Sequence, residues 1–70
     1  MCNIKNFYFN GQEYFINNII TLSNLLCYFD YQSQFFVIEY NNFICNEYEW
    51  NKIEIKKNDK IEIITIVGGG

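Results

Sequence analysis

Apolar and polar residues alternate along this chain with two different periods, which together predict several strands and one helix. Residues 4–9 and 12–16 are rich in aromatic and β-branched side chains, and Asn10-Gly11 separates them. Asn-Gly favours a tight type I′ hairpin turn, because both central residues of that turn need a positive φ. We therefore predict that the chain opens with a β-hairpin.

A helical period follows the hairpin. Leucine and phenylalanine recur at positions i, i+3, i+4 and i+7, which are Leu22, Leu25, Leu26 and Phe29. This spacing forms an apolar stripe suited to lying across a sheet. Thr21 precedes the stripe, and its hydroxyl is suited to cap the first turn. The pattern predicts one main helix.

The second half of the chain returns to the strand period. Further strands are predicted at residues 35–40, 43–44, 53–55 and 61–67. Asn41-Asn42, a pair that tolerates left-handed backbone, ends the first of them, and a polar turn is predicted at 56–59. If the last strand returns beside the first, the right-handed crossover through the helix makes that pair parallel. We therefore predict an α+β domain of the β-grasp type, with a mixed four- to five-stranded sheet and one main helix packed across it.

Alternation within the strands also separates a buried face from a solvent face. In the last strand a glutamate shares one side with two isoleucines, and this side should face solvent because buried unpaired glutamates are rare. We predict a partner-binding apolar patch, edged by carboxylates, on the sheet face away from the helix. Its residues are Phe35, Val37, Glu62, Ile64 and Ile66. The alternative is that a second layer or a second copy covers this face.

Composition narrows the classes of partner. The chain has 70 residues, enough for one domain, and a net charge of −3. All five basic residues are lysines, so the bidentate arginine contacts typical of nucleic-acid recognition are lacking. We expect no nucleic-acid partner and no membrane span, and we expect the domain to favour a basic protein surface.

Few residues of this chain could carry chemistry. It has no histidine, and its three cysteines lack metal-binding spacing, so we predict neither a metal site nor an independent enzyme. The odd cysteine count without a secretory signal favours a reducing compartment. Residues with A/T-rich codons dominate the composition. We therefore expect the plastid stroma if the gene is organellar, or otherwise a bacterial cytoplasm.

The chemically distinctive group is the C-terminal carboxylate. We divide the chain into a folded domain at residues 1–67 and a flexible tail formed by Gly68, Gly69 and Gly70. Three extended residues reach at most about 10 Å, enough to carry the carboxylate into a narrow channel of another protein. Glycine lacks Cβ, so a partner's backbone can close around the tail.

The chain resembles the ThiS sulfur carriers of thiamine biosynthesis, which are ubiquitin-like β-grasp proteins. The resemblance covers nearly the whole chain and is most specific in its ending. It lies in residues 9–11, 21–26, 37–41, 49–50 and 59–70. One departure is Cys45-Asn46, where members of the family often have Pro-Arg.

This resemblance implies a definite chemistry. An E1-like enzyme of the ThiF type would use ATP to adenylate Gly70, and a sulfur donor protein would then convert it to a thiocarboxylate. A thiazole synthase of the ThiG type would accept that sulfur. Gly68 and Gly69 would form the flexible approach, and the carrier itself would bind no cofactor.

Three other functions remain open on the sequence alone. Diglycine endings also occur in the small subunit of molybdopterin synthase and in ubiquitin-like protein modifiers. The first would carry sulfur for a different product, and the second would be conjugated to lysines. A third possibility is a noncovalent adaptor that uses the apolar patch and does not need Gly70.

Overall fold

Five strands and one α-helix account for most of the residues that the computed structural model describes, which are 4–31 and 36–65. In chain order the elements are β1 (Lys5–Phe9), β2 (Gln12–Ile16), α1 (Leu22–Tyr28), β3 (Phe36–Tyr40), β4 (Phe43–Cys45), a 3₁₀ turn (Glu47–Glu49) and β5 (Asp59–Thr65). The strands form one sheet with the order β2-β1-β5-β3-β4.

The sheet is mixed because its last strand lies beside its first. β1 and β5 run parallel, whereas β1·β2, β3·β5 and β3·β4 are antiparallel. The N-terminal hairpin and the parallel return of the last strand confirm the predicted β-grasp fold, with five strands and the helix on one face.

Both hairpin turns use residues in the left-handed region. Asn10 and Gly11 have φ values of 53° and 81°, and Asn41 and Asn42 have φ values of 51° and 72°. Positive φ at both central positions is the requirement of a type I′ turn, which matches the twist of the strands that it joins. These turns therefore set the registers β1·β2 and β3·β4.

Helix α1 begins at a reciprocal cap. The Asn24 backbone N–H donates to Thr21 Oγ1 at 3.2 Å, and the Thr21 backbone N–H donates to Asn24 Oδ1 at 2.9 Å. Two further N–H groups of the first turn, those of Leu22 and Ser23, donate to backbone carbonyls of residues 53 and 50. The otherwise unpaired donors at the start of the helix are thus largely satisfied, which confirms the predicted N-cap.

The core lies between α1 and the inner face of the sheet. It contains the helix residues Leu22, Leu25 and Leu26 and sheet residues that include Phe7, Phe9, Ile38 and Ile61. Phe29 follows the helix as its C-cap and stacks on Phe9 with ring centroids 4.9 Å apart. The predicted apolar stripe therefore contacts the sheet.

Among the residues that the structure describes, no helix has the length and apolar character that crossing a membrane requires.

Four predicted elements differ from the structure. β4 ends at Cys45, one residue later than predicted. Residues 53–55, predicted to form a strand, contribute only an isolated bridge between Glu54 and Thr21. That segment pairs with the chain just before the helix and not with the sheet, as the Ile55 N–H bond to the Ile20 carbonyl shows. β5 begins at Asp59, inside the predicted polar turn, because the parallel register with β1 starts there. β1 begins at Lys5, one residue later than predicted.

Candidate functional site

The candidate site is the C-terminal end of β5, the central strand of the sheet. β5 pairs with β1 on one side and with β3 on the other, so neither of its edges is open. Its residues Ile61 and Ile63 face the core, and Thr65 is the last residue described before the tail. Gly68, Gly69 and Gly70, and with them the predicted boundary between domain and tail, lie outside the described residues.

A buried carboxylate anchors the beginning of β5. Asp59 is only 6% exposed and accepts three hydrogen bonds. The donors are Tyr40 Oη at 2.6 Å, Asn41 Nδ2 at 3.1 Å and the Lys56 backbone N–H at 2.6 Å. A buried carboxylate needs such partners, because burial without them is very costly. Asp59 therefore ties β5 to the end of β3 and to its own preceding turn.

The asparagines of the two hairpin turns hold β5 from both sides. Asn10 Oδ1 accepts the Ile63 backbone N–H at 2.9 Å, and Asn41 Oδ1 accepts the Lys60 backbone N–H at 2.8 Å. The Asn10 backbone N–H also donates to the Ile61 carbonyl at 2.9 Å. Asn10 thus continues the β1·β5 ladder past the end of β1, which steadies the strand that leads to the tail.

The sheet face away from the helix carries a group that we call the outer patch, in which Ile44, Glu62 and Ile64 are exposed and Val37 and Glu39 are partly buried. Val37 lies directly opposite Ile64, and Glu39 lies opposite Glu62. On its other side Glu39 lies opposite Ile44 of β4. Ile64 is 39% exposed, so the apolar part of this surface is open to solvent.

The predicted patch residues are partly brought together. Val37, Glu62 and Ile64 share one face as predicted from alternation, whereas Phe35 and Ile66 lie outside the described residues. The assignment of this face to partner binding stays a prediction. Ile44 was missed because its strand is only three residues long and offers little periodicity.

Asn10, Asn41 and Asp59 were also missed as supports of the tail-bearing strand. The sequence shows the asparagines as turn residues, but it does not show that their side chains reach a third strand. Such contacts depend on which strands become neighbours, and that is settled only when the sheet assembles. The one local signal was the position of each Asn at a predicted turn.

The cysteines occupy different environments. Cys45 is buried in the core, and burial, with a smaller contribution from the Glu49 carboxylate, raises the pKa of its thiol. A raised pKa keeps this thiol protonated and unreactive at neutral pH. Cys27 is exposed on α1, unlike the buried position expected of most free cysteines. Among the described residues, no three His, Cys, Asp or Glu side chains are grouped so that they could hold a metal ion.

The anchor at Asp59 predicts a pH dependence of stability. Burial, and next the hydrogen bond to Asp59, raises the pKa of Tyr40 above its usual value of 10.0. The folded state then holds this proton more tightly than the unfolded state. The corresponding stability is present below about pH 10 and is lost as the pH rises towards the folded pKa. We expect the free energy of unfolding to fall with pH above about 10, and Tyr40→Phe to reduce that slope.

Urea unfolding between pH 7 and pH 11 checks this expectation. At pH 7 Tyr40→Phe should cost roughly 2 kcal/mol, because a buried hydrogen bond to a carboxylate is lost. Tyr48→Phe, at a tyrosine that is exposed, is the matched control and should leave the slope unchanged. Equal slopes in the wild type and Tyr40→Phe would contradict the assignment of this effect to the Asp59 anchor.

Comparison with known proteins identifies the family of this chain and supports its fold. A model of the ThiS family matches residues 5–70. The protein ycf40 of Trieres chinensis is 62% identical over 66 residues, covering 94% of this chain and 90% of that protein. The ycf40 protein of Porphyra purpurea is 39% identical over 61 residues, covering 87% of this chain and 86% of that protein. The crystal structure of the thiamine biosynthesis protein ThiS from Geobacter metallireducens has a TM-score of 0.79 at 20% identity, covering 93% of this chain and 99% of that one.

Proposed function

This chain belongs to the ThiS family and is a sulfur carrier of that type, and we propose that it carries the sulfur on the carboxylate of Gly70 for thiazole synthesis. The observation that carries this proposal is that the family match extends over residues 5–70 and so includes the three terminal glycines. The folded domain then serves to present the C-terminus to partner enzymes, and the protein is a carrier and not a catalyst.

The proposed chemistry takes place on the carboxylate in three steps. A carboxylate oxygen of Gly70 attacks the α-phosphate of ATP, which forms an acyl adenylate and releases pyrophosphate. A sulfur nucleophile from a donor protein then attacks the carbonyl carbon, and AMP leaves. That nucleophile is the outer sulfur of a persulfide, so the linkage formed is an acyl disulfide. A thiol then attacks the donor-side sulfur, the S–S bond breaks, a new disulfide forms on the donor, and the thiocarboxylate leaves. A thiazole synthase of the ThiG type accepts the sulfur of this thiocarboxylate. Activation is needed because a carboxylate, ionised at neutral pH, is a poor electrophile.

The hydrogen bonds that hold β5 in place support this division of roles between the folded domain and its C-terminal tail. Hydrogen bonds from Tyr40, Asn41 and the Lys56 backbone hold Asp59 at one end of the strand. The Asn10 side chain holds Ile63 near the other end. A tail that leaves a rigid central strand starts from a defined position, which lowers the entropy lost when a partner captures it. Gly68 and Gly69 then let that partner's backbone approach closely.

The outer patch is the proposed docking surface for the activating enzyme of the ThiF type. Glu39 and Glu62 are directly opposite each other on adjacent strands, and like charges in that position disfavour the pairing. A basic side chain from a partner would relieve this repulsion, while Val37 and Ile64 supply apolar contact area. The net charge of −3 favours the approach of a basic surface in the same way. A nucleic acid would be repelled.

We place the protein in the plastid stroma. The dominance of residues with A/T-rich codons supports an organellar gene. Similarity to the ycf40 proteins of Trieres chinensis, Porphyra purpurea and Pyropia yezoensis is consistent with that origin.

An activation assay tests the proposed function. The purified full chain is incubated with ATP, an activating enzyme of the ThiF type and a sulfur donor, and its intact mass is measured. We expect the mass to rise by the difference between one sulfur and one oxygen. Fragmentation should place the change on Gly70, and addition of a ThiG-type synthase together with its other substrates should reverse it.

The same assay distinguishes the alternatives. Omitting ATP should prevent the mass change, since the carboxylate then stays unactivated. Covalent attachment of the chain to lysines of other proteins would contradict the proposal and indicate a protein modifier. Sulfur accepted by molybdopterin synthase but not by a thiazole synthase would contradict its pathway while leaving the carrier chemistry intact.

A further inference from the structure

Strand β2 (Gln12–Ile16) forms one edge of the sheet built from residues 4–31 and 36–65, and Glu13 is its one charged residue that opposes pairing with another chain. Its sequence QEYFI contains neither lysine nor proline, and its register with β1 is uninterrupted by a bulge. Lysine, proline and bulges are the features that normally keep edge strands from associating. The opposite edge, β4, is only three residues long and is protected by its shortness.

The unpaired backbone groups of β2 can be identified from the hairpin. A two-residue turn closes at the pair Phe9–Gln12, so Gln12, Tyr14 and Ile16 direct their N–H and C=O groups towards β1. Glu13 and Phe15 direct theirs outwards, away from the sheet. Within residues 4–31 and 36–65, β1 is the one strand that pairs with β2.

Exposed apolar side chains surround this edge. Phe15 is 65% exposed on the outer face, and Tyr28 of α1 is 82% exposed. Both contribute to an apolar groove of about 410 Å³ between β2 and α1, which Tyr14 and Ile16 also line. Contiguous apolar surface beside unpaired strand groups is typical of an interaction site.

We propose that β2 pairs with β2 of a second copy in an antiparallel arrangement centred on Phe15. Phe15 then lies opposite its own counterpart, and Tyr14 lies opposite the second copy's Ile16. Glu13 lies opposite Asn17, so no charge faces a like charge. The register centred on Glu13 is disfavoured, because it places two carboxylates directly opposite each other.

This arrangement closes as a two-fold dimer. Each copy uses its β2 edge in the contact, which leaves the two short β4 strands at the ends of a ten-stranded sheet. The two grooves beside α1 meet across the dimer axis, so Tyr28 lies next to the interface. β1 separates β2 from β5, so the outer patch stays accessible in both copies.

Sedimentation velocity of the full chain tests the dimer over a range from micromolar to millimolar concentration. We expect a reversible species of twice the 8.4 kDa mass of the chain. Phe15→Lys should weaken association by on the order of tenfold or more, since it replaces an aromatic pair by two facing ammonium groups. Phe43→Lys, at an equally exposed aromatic residue on the other edge strand, is the matched control and should leave the dimer unchanged.

A charge-complementation experiment tests the register. Phe15→Lys and Phe15→Glu should each be monomeric alone, and an equal mixture should form a heterodimer. If the strands were instead centred on Tyr14, the new ammonium group would face Glu13 and Phe15→Lys would tighten the dimer, which would overturn the register. A monomer at every concentration, or loss of the dimer in Phe43→Lys, would overturn the proposal. The emission of buried Trp50 confirms that each variant is folded.

Discussion

We expect a chain that lacks only Gly70 to fold normally but to receive sulfur far more slowly than the full chain. Its carboxylate would end roughly 3.5 Å short of the position that the full tail reaches. Displacements of about 1 Å between reacting groups can cost 100-fold in rate, so we expect a decrease of about 100-fold or more in thiocarboxylate formation. Intact-mass measurement after incubation with ATP, activating enzyme and sulfur donor gives the yield.

A chain with one extra glycine after Gly70 is the complementary variant. It retains a terminal carboxylate but moves it beyond the reactive position, and we expect a similar loss. Urea unfolding of both variants should match that of the wild type, because the described core does not include the terminal glycines. Full sulfur transfer to either variant would contradict a mechanism that depends on the placement of the terminal acid.

The second large effect is a loss of stability, which we expect for Ile61→Ala. Ile61 is fully buried (0% exposed) in the central strand, where it packs in the cluster with Phe7, Leu22 and Ile38. Truncation of a buried isoleucine costs about 2–5 kcal/mol, through lost burial and the cavity left behind. A domain of this size has a total stability of only about 5–10 kcal/mol. We therefore expect the urea midpoint to fall by about 2 M or more.

Ile64→Ala makes the same change three residues further along the same strand, at the partly exposed Ile64 of the outer patch. We expect it to cost no more than about 1 kcal/mol of stability. It should weaken binding to the activating enzyme by about tenfold, since an apolar contact at a docking surface is lost. Titration calorimetry measures that affinity. Equal stability losses in the two variants would contradict the division of β5 into a buried and a solvent face.

Ile61 and Ile64 show that alternation along a strand can predict which side chains are buried and which face solvent. A glutamate at position 62 disfavours burial of its own face, and this local rule alone assigns Ile61 to the core and Ile64 to the surface. The leucines of α1 are assigned by the same kind of local argument. Asn-Gly likewise predicts its turn, because few other residue pairs accept two positive φ values.

Local rules fail where a residue's partners are distant in sequence. Residues 53–55 alternate as a strand would, yet they pair with the chain before the helix and not with the sheet. Asp59 looks like a turn residue, and its burial depends on Tyr40 and Asn41 from another hairpin.

The sequence by itself determined the order of the elements along the chain, the hairpin turns, and the helix and its cap, whereas the tail at residues 68–70 stays a prediction. Each of these depends on propensities and periods of neighbouring residues. Only the tertiary structure decided that Asn10, Asn41 and Asp59 hold β5, that Glu39 faces Glu62, and that β2 lies at an open edge. The physical reason is that hydrogen bonds and charge pairs between strands depend on which strands become neighbours and in which register, and non-local packing determines both.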